Sequence, residues 1–423
     1  MSLPYYRKYG WEPTVLCVSA ETSDGVDDRI LAQSLPPDIP VKAADAWNER
    51  ACRRFGFGQL GRRAVFPLYR LGSLLLAREK YDVVFFSTTV FGIFILAPIW
   101  KWRFGCKIVY DMQDPWYLGQ AAGYSRENAP GGWWKYRLDQ AINRYLERFA
   151  FTAVDHIICV SASYIDMLMR RYPRLNKSHF SIIPFGATPD DYAFARKQKI
   201  RQTVFSVDGA TKNWVFTGGV IPNMVPVLRT LFSALRDLIT EQPRLESILR
   251  IHFVGTRYVV TDHEIKNVEP LARDCGLEKI VHEQPARVPY LDSLVLSTDS
   301  DALLMIGSIH KDYTASKLMN YAMTKKPILA ILHRDSLAHQ MAARFPNVFL
   351  VGFSDDLAEP AVTRRVREGL LWLLNPTFDA DVLEREIAPW LADTLTEQQC
   401  KIFDSVLERS VKVRNSDIAR EPA

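Results

Sequence analysis

Asp312 to Leu332 reads DYTASKLMNYAMTKKPILAIL, and this stretch decides the fold because it divides into a polar turn, a helix and a buried strand. Ser316 is placed to cap the helix, its hydroxyl accepting from the first free backbone N–H groups. Leu318, Met319 and Ala322 then give an apolar face at helical spacing. Lys325 and Lys326 fall in the last turn, where cations suit the helix dipole, and Pro327 stops the helix ahead of the strand ILAIL. A helix start that follows a loop and carries Lys317 in its first turn is a natural seat for a nucleotide diphosphate. The plainer alternative for this segment alone is an ordinary loop, helix and strand of an α/β domain.

The surrounding chain repeats the pattern. Upstream, WVFTGGVIPNM is a strand running into Gly218 and Gly219, where a backbone can approach a diphosphate closely before the helix MVPVLRTLFSALRDLI. Two glycines alone are weak evidence. The strand RIHFVG ends beside Arg257, KIVHEQ is a further strand, and ALLMI is followed by His310 and Lys311, which lie next to Asp312 in sequence. Asp299-Ser300-Asp301 has the look of a metal-binding Asp-x-Asp, but it stands at the entry to the buried strand ALLMI, and no metal site is read there.

Composition allows two such domains. The chain has 423 residues, 48% of them apolar and 24% charged, enough for two separate cores and unlike a disordered chain. Six cysteines without CxxC or Cys/His spacing point to reduced thiols in a cytosolic setting and suggest no zinc site. Met1 to Gly10 lacks the basic start and apolar run of a signal peptide. Charge is uneven: residues 1–200 hold 27 Lys and Arg against 19 Asp and Glu, whereas residues 201–423 hold 26 against 29. A basic first half suits nucleic acid or an anionic membrane surface, and with no nucleic-acid motif present the membrane is preferred. In residues 50–80, Arg53, Arg54, Arg62, Arg63 and Arg70 interleave with Phe, Leu and Tyr, as in a segment lying in a headgroup layer; a helical pair with solvated arginines is the equal alternative.

Val83 to Trp100 has 18 residues without a charge, the threshold for a membrane span. It divides instead into a strand (VVFFS), a turn (TTVFG) and a short helix, as in a doubly wound sheet. KIVYDMQDPW then delivers Asp111 and Asp114 to the C-terminal end of a strand, where open α/β sheets bind ligands. Asp111 can equally cap the next turn. Trp116, Trp133 and Trp134 surround the loop GYSRENAPGGWW, which can close over a second substrate or pack as an ordinary surface loop. Helices from about Trp134 to Thr152 and from Ala162 to Tyr172 lead into the strands DHIICVS and HFSIIPFGA. A polar stretch without period over residues 193–210 reads as a linker. Near the end, Thr396 and Gln399 form a capping box for a helix with Cys400, Phe403, Val406 and Leu407 on its apolar face, and Val411 to Ala423 is expected to fray.

KLMNYAMTKKP at Lys317–Pro327 resembles the "K-L-x-E-Y-x-x-x-G-K-P" element of family 4 glycosyltransferases of the GT-B fold, which carry a Glu-x7-Glu motif there. Asp312 and Asn320 take the places of the two Glu residues, and Lys325 replaces the usual Gly. DMQDPW resembles the "D-x-x-D-P-W" of bacterial members, and IIPFGATPDDY their exit from the first domain. The likeness runs from about Trp11 to Gly352. It implies an α/β architecture of two Rossmann-like domains facing across a cleft: an acceptor-side domain over residues 1–195, a linker at 196–212, a nucleotide-sugar domain over 213–395, a C-terminal helix at 396–410 and a tail at 411–423. Such a first domain normally opens with a strand, a Gly-rich turn and a helix, and here MSLPYYRKYG resembles only the close of that helix. The expectation is therefore that Met1 is an internal methionine and that the first sheet lacks its first strand.

The activity implied is a retaining glycosyltransferase that needs no metal or cofactor and moves a sugar from a nucleotide-sugar donor to a lipid-linked glycan or other bacterial surface polysaccharide. Its place would be the cytoplasmic face of the membrane, with residues 50–80 as the peripheral contact. Asp114 first and Asp111 second are candidates to contact or deprotonate the acceptor hydroxyl, and Asp312 lies near the sugar. Gly218, Gly219, Asn223, Arg257, His310, Lys311, Ser316, Lys317 and Asn320 are the candidate donor-binding residues. Relatives place an Arg and a Lys where Gly219 and Asn223 stand, so cationic help must come from Lys317, Lys311 or Arg257. Two rivals remain at this point: a sugar-nucleotide 2-epimerase on the same fold, and a catalytically impaired relative acting as a membrane-associated partner.

Overall fold

The computed structural model describes residues 1–23, 29–54, 56–117, 132–257, 265–311, 316–354, 357 and 360–418. The chain forms two compact units: the first comprises Ser2–Arg29, Leu35–Pro184 and Thr396–Ala423, the second Met1, Ile30–Ser34 and Phe185–Leu395. The division at Pro184/Phe185 lies before the boundary expected at residue 195. Residues 196–212 are not a free connector but belong to the second unit. The helix Pro189–Lys197 packs on the helix Tyr290–Asp299, and Phe205 stacks on His252 at 5.0 Å. Within residues 196–212 the apolar side chains Ile200, Val204 and Phe205 pack against the second unit's cores, which the overall polarity of the stretch hides.

In the first unit β1 (Val15–Val18) pairs in parallel with β2 (Val41–Ala44). Separately, β3 (Val83–Ser87), β4 (Lys107–Met112), β5 (His156–Cys159) and β6 (Phe180–Ile182) form a parallel sheet in that order. Parallel neighbours need crossover connections, supplied by the helices Leu96–Phe104, Trp133–Ala150 and Ala162–Arg171. The uncharged run from Val83 thus resolves into β3, a 3-10 turn at Phe91–Ile95 and a helix. No helix among the described residues is long and apolar enough to cross a membrane. Among the described residues no ladder joins β1 to β3, so β1 and β2 form a separate two-stranded piece. Paired among the described residues only with β2, β1 is half-buried at all four residues rather than buried as its apolar sequence suggests.

Helices pack close to both pieces. A methyl on Gly72, in the helix Val65–Arg78, would collide with the Trp100 ring and with Leu16 of β1, while Trp100 stacks on Phe86 of β3 at 5.9 Å. Phe403 meets Trp11 at 5.1 Å and Phe85 at 5.2 Å. The C-terminal helix starts at Ala392, so Thr396 lies inside it, fully buried, and is not its cap. Gln399 instead accepts from the Tyr6 hydroxyl at 2.8 Å. The backbone stays helical to Ile418, beyond the point where fraying was expected.

The second unit is built on β7 (Lys212–Thr217), β8 (Leu249–Val254), β9 (Val281–Gln284), β10 (Ala302–Ile306), β11 (Ile328–His333) and β12 (Val348–Phe353). All are parallel, in the order β12-β11-β10-β7-β8-β9. Covered on both faces, β10 and β11 are buried at every position, which is why they read as unbroken apolar runs. The helix Val225–Glu241 buries Val227, Leu228, Leu231, Phe232, Leu235 and Leu238 completely, each worth about 1.5–3 kcal/mol relative to exposure. From β7 the chain winds outward through β8 and β9, then returns to the other side of β7 with β10. That reversal places a crevice at the C-terminal ends of β7 and β10.

The helix read around Lys317 is shorter than expected, Leu318–Met323, and has no side-chain cap; Ser316 is exposed and lies one position too early. Lys325 follows the helix rather than ending it, with φ of 57°. That left-handed conformation is strained for a side-chain-bearing residue and free for glycine, a physical reason for glycine at this place in the resembling element. Lys325→Gly is expected to raise the thermal midpoint by about 2–4 °C in differential scanning calorimetry. An unchanged or lower midpoint would show that the exposed Lys325–Glu384 ion pair outweighs the strain.

Candidate functional site

The loops at the C-terminal edge of the second unit's sheet are laced to one another through the backbone. Gly218 N–H donates to the Val254 carbonyl at 2.7 Å, Val220 N–H to Thr256 at 2.9 Å, Gly255 N–H to Gln284 at 2.8 Å and Ile309 N–H to Asn223 at 3.1 Å. The segments after β7, β8, β9 and β10 therefore form one continuous rim. Gly218 has φ of 108°, and a Cβ there would stand 2.9 Å from Lys317 Nζ and 3.0 Å from its Cε. Glycine is required at that point by conformation and by space.

Lys317 arches over this turn with its ammonium 4.0 Å from the centroid of the buried Phe216 ring. Burial, and then the charge of Arg287, lowers its pKa from 10.5 to about 7. Arg287 was not among the residues picked from sequence. It follows β9 at the same edge, and its Cα would be 3.5 Å from a Cβ on Gly255. The signal available was its position just after a strand, where ligands of open α/β sheets bind. Tyr321 was also missed. Its hydroxyl accepts from Thr217 N–H at 2.8 Å and lies 3.0 Å from Thr217 Oγ1, tying the middle of the helix Leu318–Met323 to the end of β7. Burial pushes this phenol up to about 12.

The remaining donor-side candidates are distributed around the rim. Gly219 is half-buried, and Asn223 sits in the 3-10 turn Pro222–Met224 with its carbonyl held by Ile309. His310 is exposed, its N–H donating to the buried Ser308 hydroxyl at 3.1 Å; Lys311 is exposed beside it. Arg257 donates from its guanidinium to the Ile265 carbonyl at 3.3 Å. The backbone carbonyl of Asn320 accepts from the Tyr192 hydroxyl at 2.6 Å, and Tyr290 donates to Asp191 at 3.0 Å. The Asn320 Oδ1 atom is buried with no hydrogen-bond partner. Asp312 lies outside the described residues. Asp301 accepts from Asn213 N–H at 2.8 Å, and the fully buried Ser300 donates to Ser297, so this Asp-x-Asp seats strand starts at the end of the sheet opposite the rim.

In the first unit Asp111, the penultimate residue of β4, is buried and accepts on Oδ2 from Ser87 at 2.7 Å and from Gln113 at 2.9 Å. Burial raises its pKa, opposed by those two bonds. Asp114 is exposed by area, yet the protein mass around it raises its pKa too. Of the two, Asp114 is the carboxylate free to meet another molecule, and Asp111 is anchored. Trp116 stacks on Phe91 at 6.0 Å and meets Phe94 edge-on at 6.1 Å, ordinary packing that fixes the turn after Asp114. Trp133 stacks on Tyr136 at 6.3 Å and Trp134 is 75% exposed; the intervening loop, residues 118–131, lies outside the described residues. Glu147, unnoticed in the sequence, is fully buried with Arg171 and with the Tyr172 hydroxyl at 2.7 Å, and burial raises its pKa.

The arginines of residues 50–80 are partly committed within the unit. Arg62 pairs with Asp139 at 2.5 Å, the buried Arg63 donates to the Trp47 carbonyl at 3.1 Å, and Arg53 pairs with Glu49 at 3.0 Å. This segment presents fewer unpaired cations than its composition suggests.

Residues 4–191 match the model of a family described as Glycosyltransferase Family 4. Solved structures share the fold at low identity. Anabaena Alr3699/HepE in complex with UDP aligns at 14% identity over 93% of this chain and 100% of its own, with a TM-score of 0.55. A glycosyltransferase from Rickettsia africae ESF-5 aligns at 13% over 94% and 99%, TM-score 0.54. An alpha,alpha-trehalose-phosphate synthase (UDP-forming) from Burkholderia xenovorans in complex with glucose-6-phosphate aligns at 11% over 93% and 99%, also at 0.54. No curated protein matches the sequence.

Proposed function

We propose that this family 4-like glycosyltransferase of the GT-B fold transfers a sugar from a nucleotide-sugar donor, with retention, to a lipid-linked glycan or polysaccharide acceptor at the inner face of a cell membrane. The observation that carries the donor half is Lys317 arching over Gly218 at the rim of β7, where the strand order reverses. A diphosphate seated on that turn would meet backbone N–H groups, the Lys317 ammonium and the Arg287 guanidinium. As the glycosidic bond breaks, negative charge grows on the leaving diphosphate, and fixed donors aimed at it stabilise the transition state. In this reading the charge is met by protein groups without a metal or cofactor, Asn320 Oδ1 accepts from a ribose hydroxyl, and Asp312 lies near the sugar. The structures in complex with UDP make uridine diphosphate the first nucleotide to test.

The acceptor half rests on Asp114, exposed after β4 with a raised pKa suited to taking a proton from a hydroxyl. Asp114→Asn is expected to lower turnover by about 100-fold while leaving nucleotide-sugar affinity unchanged. Asn320→Ala is expected to weaken that affinity by about 3- to 10-fold, the size of one hydrogen bond, in isothermal titration. Equal affinity in both proteins would take Asn320 out of the donor site. The experiment for the whole reading is a thermal-shift panel of nucleotide sugars followed by a sugar-transfer assay on lipid-linked acceptors. Stabilisation by a nucleotide sugar with transfer supports it; stabilisation without transfer points to a non-catalytic relative, and no stabilisation by any of them rejects the donor site.

A further inference from the structure

The outward face of the helix Trp133–Ala150 carries large apolar side chains in solvent: Trp134 is 75% exposed, Leu138 63%, Tyr145 72% and Phe149 41%. With exposed Ala141 they lie on one side of the helix, within an arc of about 80° at about 100° per residue. Its four cations border that stripe, Arg137, Arg144 and Arg148 along one margin and Lys135 along the other, all exposed. Both acids of the helix point elsewhere: Asp139 pairs with Arg62, and Glu147 is buried against Arg171 and Tyr172. The exposed face is therefore apolar in the middle, cationic at both margins and free of carboxylates. The neighbouring helix Leu96–Phe104 packs against this one and carries Trp102, 87% exposed, while its Lys101 is paired with Asp155 and its Arg103 donates to the Tyr69 hydroxyl.

We infer that this helix face is a docking surface for an anionic lipid bilayer. A stripe of Trp, Leu, Tyr and Phe inserts at the boundary between headgroups and acyl chains, while flanking Arg and Lys reach lipid phosphates. Charge complementarity selects the occupant: among the described residues of this helix only cations border the apolar stripe, and they face a plane of negative charge without repulsion from its own two acids. The inference rests on the membrane-bound acceptor proposed above. It places the contact on residues 133–150 instead of 50–80, whose Arg62 and Arg63 are held internally.

The test is co-sedimentation of the purified chain, without donor or acceptor, with phosphatidylcholine vesicles containing phosphatidylglycerol and with vesicles of phosphatidylcholine alone. Binding is expected to the anionic vesicles and to weaken with salt. Arg137→Gln/Arg144→Gln/Arg148→Gln should lower partitioning on the order of 100-fold, and Trp134→Ser/Leu138→Ser/Tyr145→Ser by a similar factor. These side chains lie in solvent, so both variants should keep the native circular dichroism and thermal midpoint. Arg53→Gln/Arg54→Gln/Arg70→Gln should bind like the native chain. Native-level binding by either helix variant, loss confined to the Arg53/Arg54/Arg70 variant, or no binding of the native chain to anionic vesicles overturns the inference. So does a concentration-dependent dimer that the Ser variant dissolves while vesicle binding is absent, which would assign the face to a second copy. Because the assay contains no donor, its failure leaves the transferase reading standing, and lost transfer with intact vesicle binding does the reverse.

Discussion

Gly218→Ala is expected to weaken nucleotide-sugar binding by more than about 100-fold in isothermal titration. Two effects act together. At φ of 108° an alanine is strained by about 1–3 kcal/mol, and its methyl would stand 2.9 Å from the Lys317 ammonium. The loop can relieve the contact only by pushing Lys317 off the Phe216 ring or by breaking the Gly218–Val254 hydrogen bond that ties it to the rim. Gly276→Ala separates strain from collision, since φ there is 71° and nothing lies within 4 Å of the place its methyl would take. It should lower the thermal midpoint and leave nucleotide-sugar affinity untouched. Native affinity in Gly218→Ala would remove this turn from the donor site.

The second large effect is a pH dependence centred on Lys317. With a free-protein pKa of about 7, the amine is half neutral near neutrality, whereas a bound diphosphate favours the ammonium. Affinity for a nucleotide sugar, whose diphosphate diester does not titrate in this range, should therefore fall as pH rises through about 7, with proton uptake on binding. Lys317→Met should weaken binding by about 10- to 100-fold at low pH, the size of a charge-assisted hydrogen bond, and flatten the profile. The stability of the unliganded protein runs the other way. The lysine pKa is depressed on folding, from 10.5 to about 7, so between those values the unfolded chain binds the extra proton and stability rises with pH. Below about 7 the buried ammonium destabilises fully, and Lys317→Met should be more stable than the native chain there. A nucleotide-sugar affinity independent of pH from about 6 to about 9 would count against Lys317 as the diphosphate ligand.

The strands were readable because they obey simple rules. ILAIL, ALLMI and KIVYDM are apolar runs bounded by turn residues, and each is a buried parallel strand as read. Gly218 was legible for the same reason, a glycine at the end of such a strand. Features set by contacts between distant residues were not legible. Ser316 was expected to cap a helix that begins after it. Thr396 and Gln399 have the spacing of a capping box but lie inside a longer helix, where Gln399 answers Tyr6, far away in sequence. The stretch 196–212 has a polar average that conceals the few side chains packing it onto the second unit.

The sequence by itself determined where the buried strands and the turns between them lie, because these follow from local patterns of burial and turn chemistry, and a family likeness pointed to the two-part α/β architecture. Tertiary structure alone decided the state of the site. It brought Arg287 and Phe216 to Lys317 and so moved a lysine's pKa by burial and like charge. It left Asn320 Oδ1 buried without a partner, and it turned Asp139 and Glu147 inward so that one helix face became apolar and cationic. Charge, burial and hydrogen bonding at a point depend on what surrounds it in three dimensions, and neighbours in space are only partly neighbours in sequence.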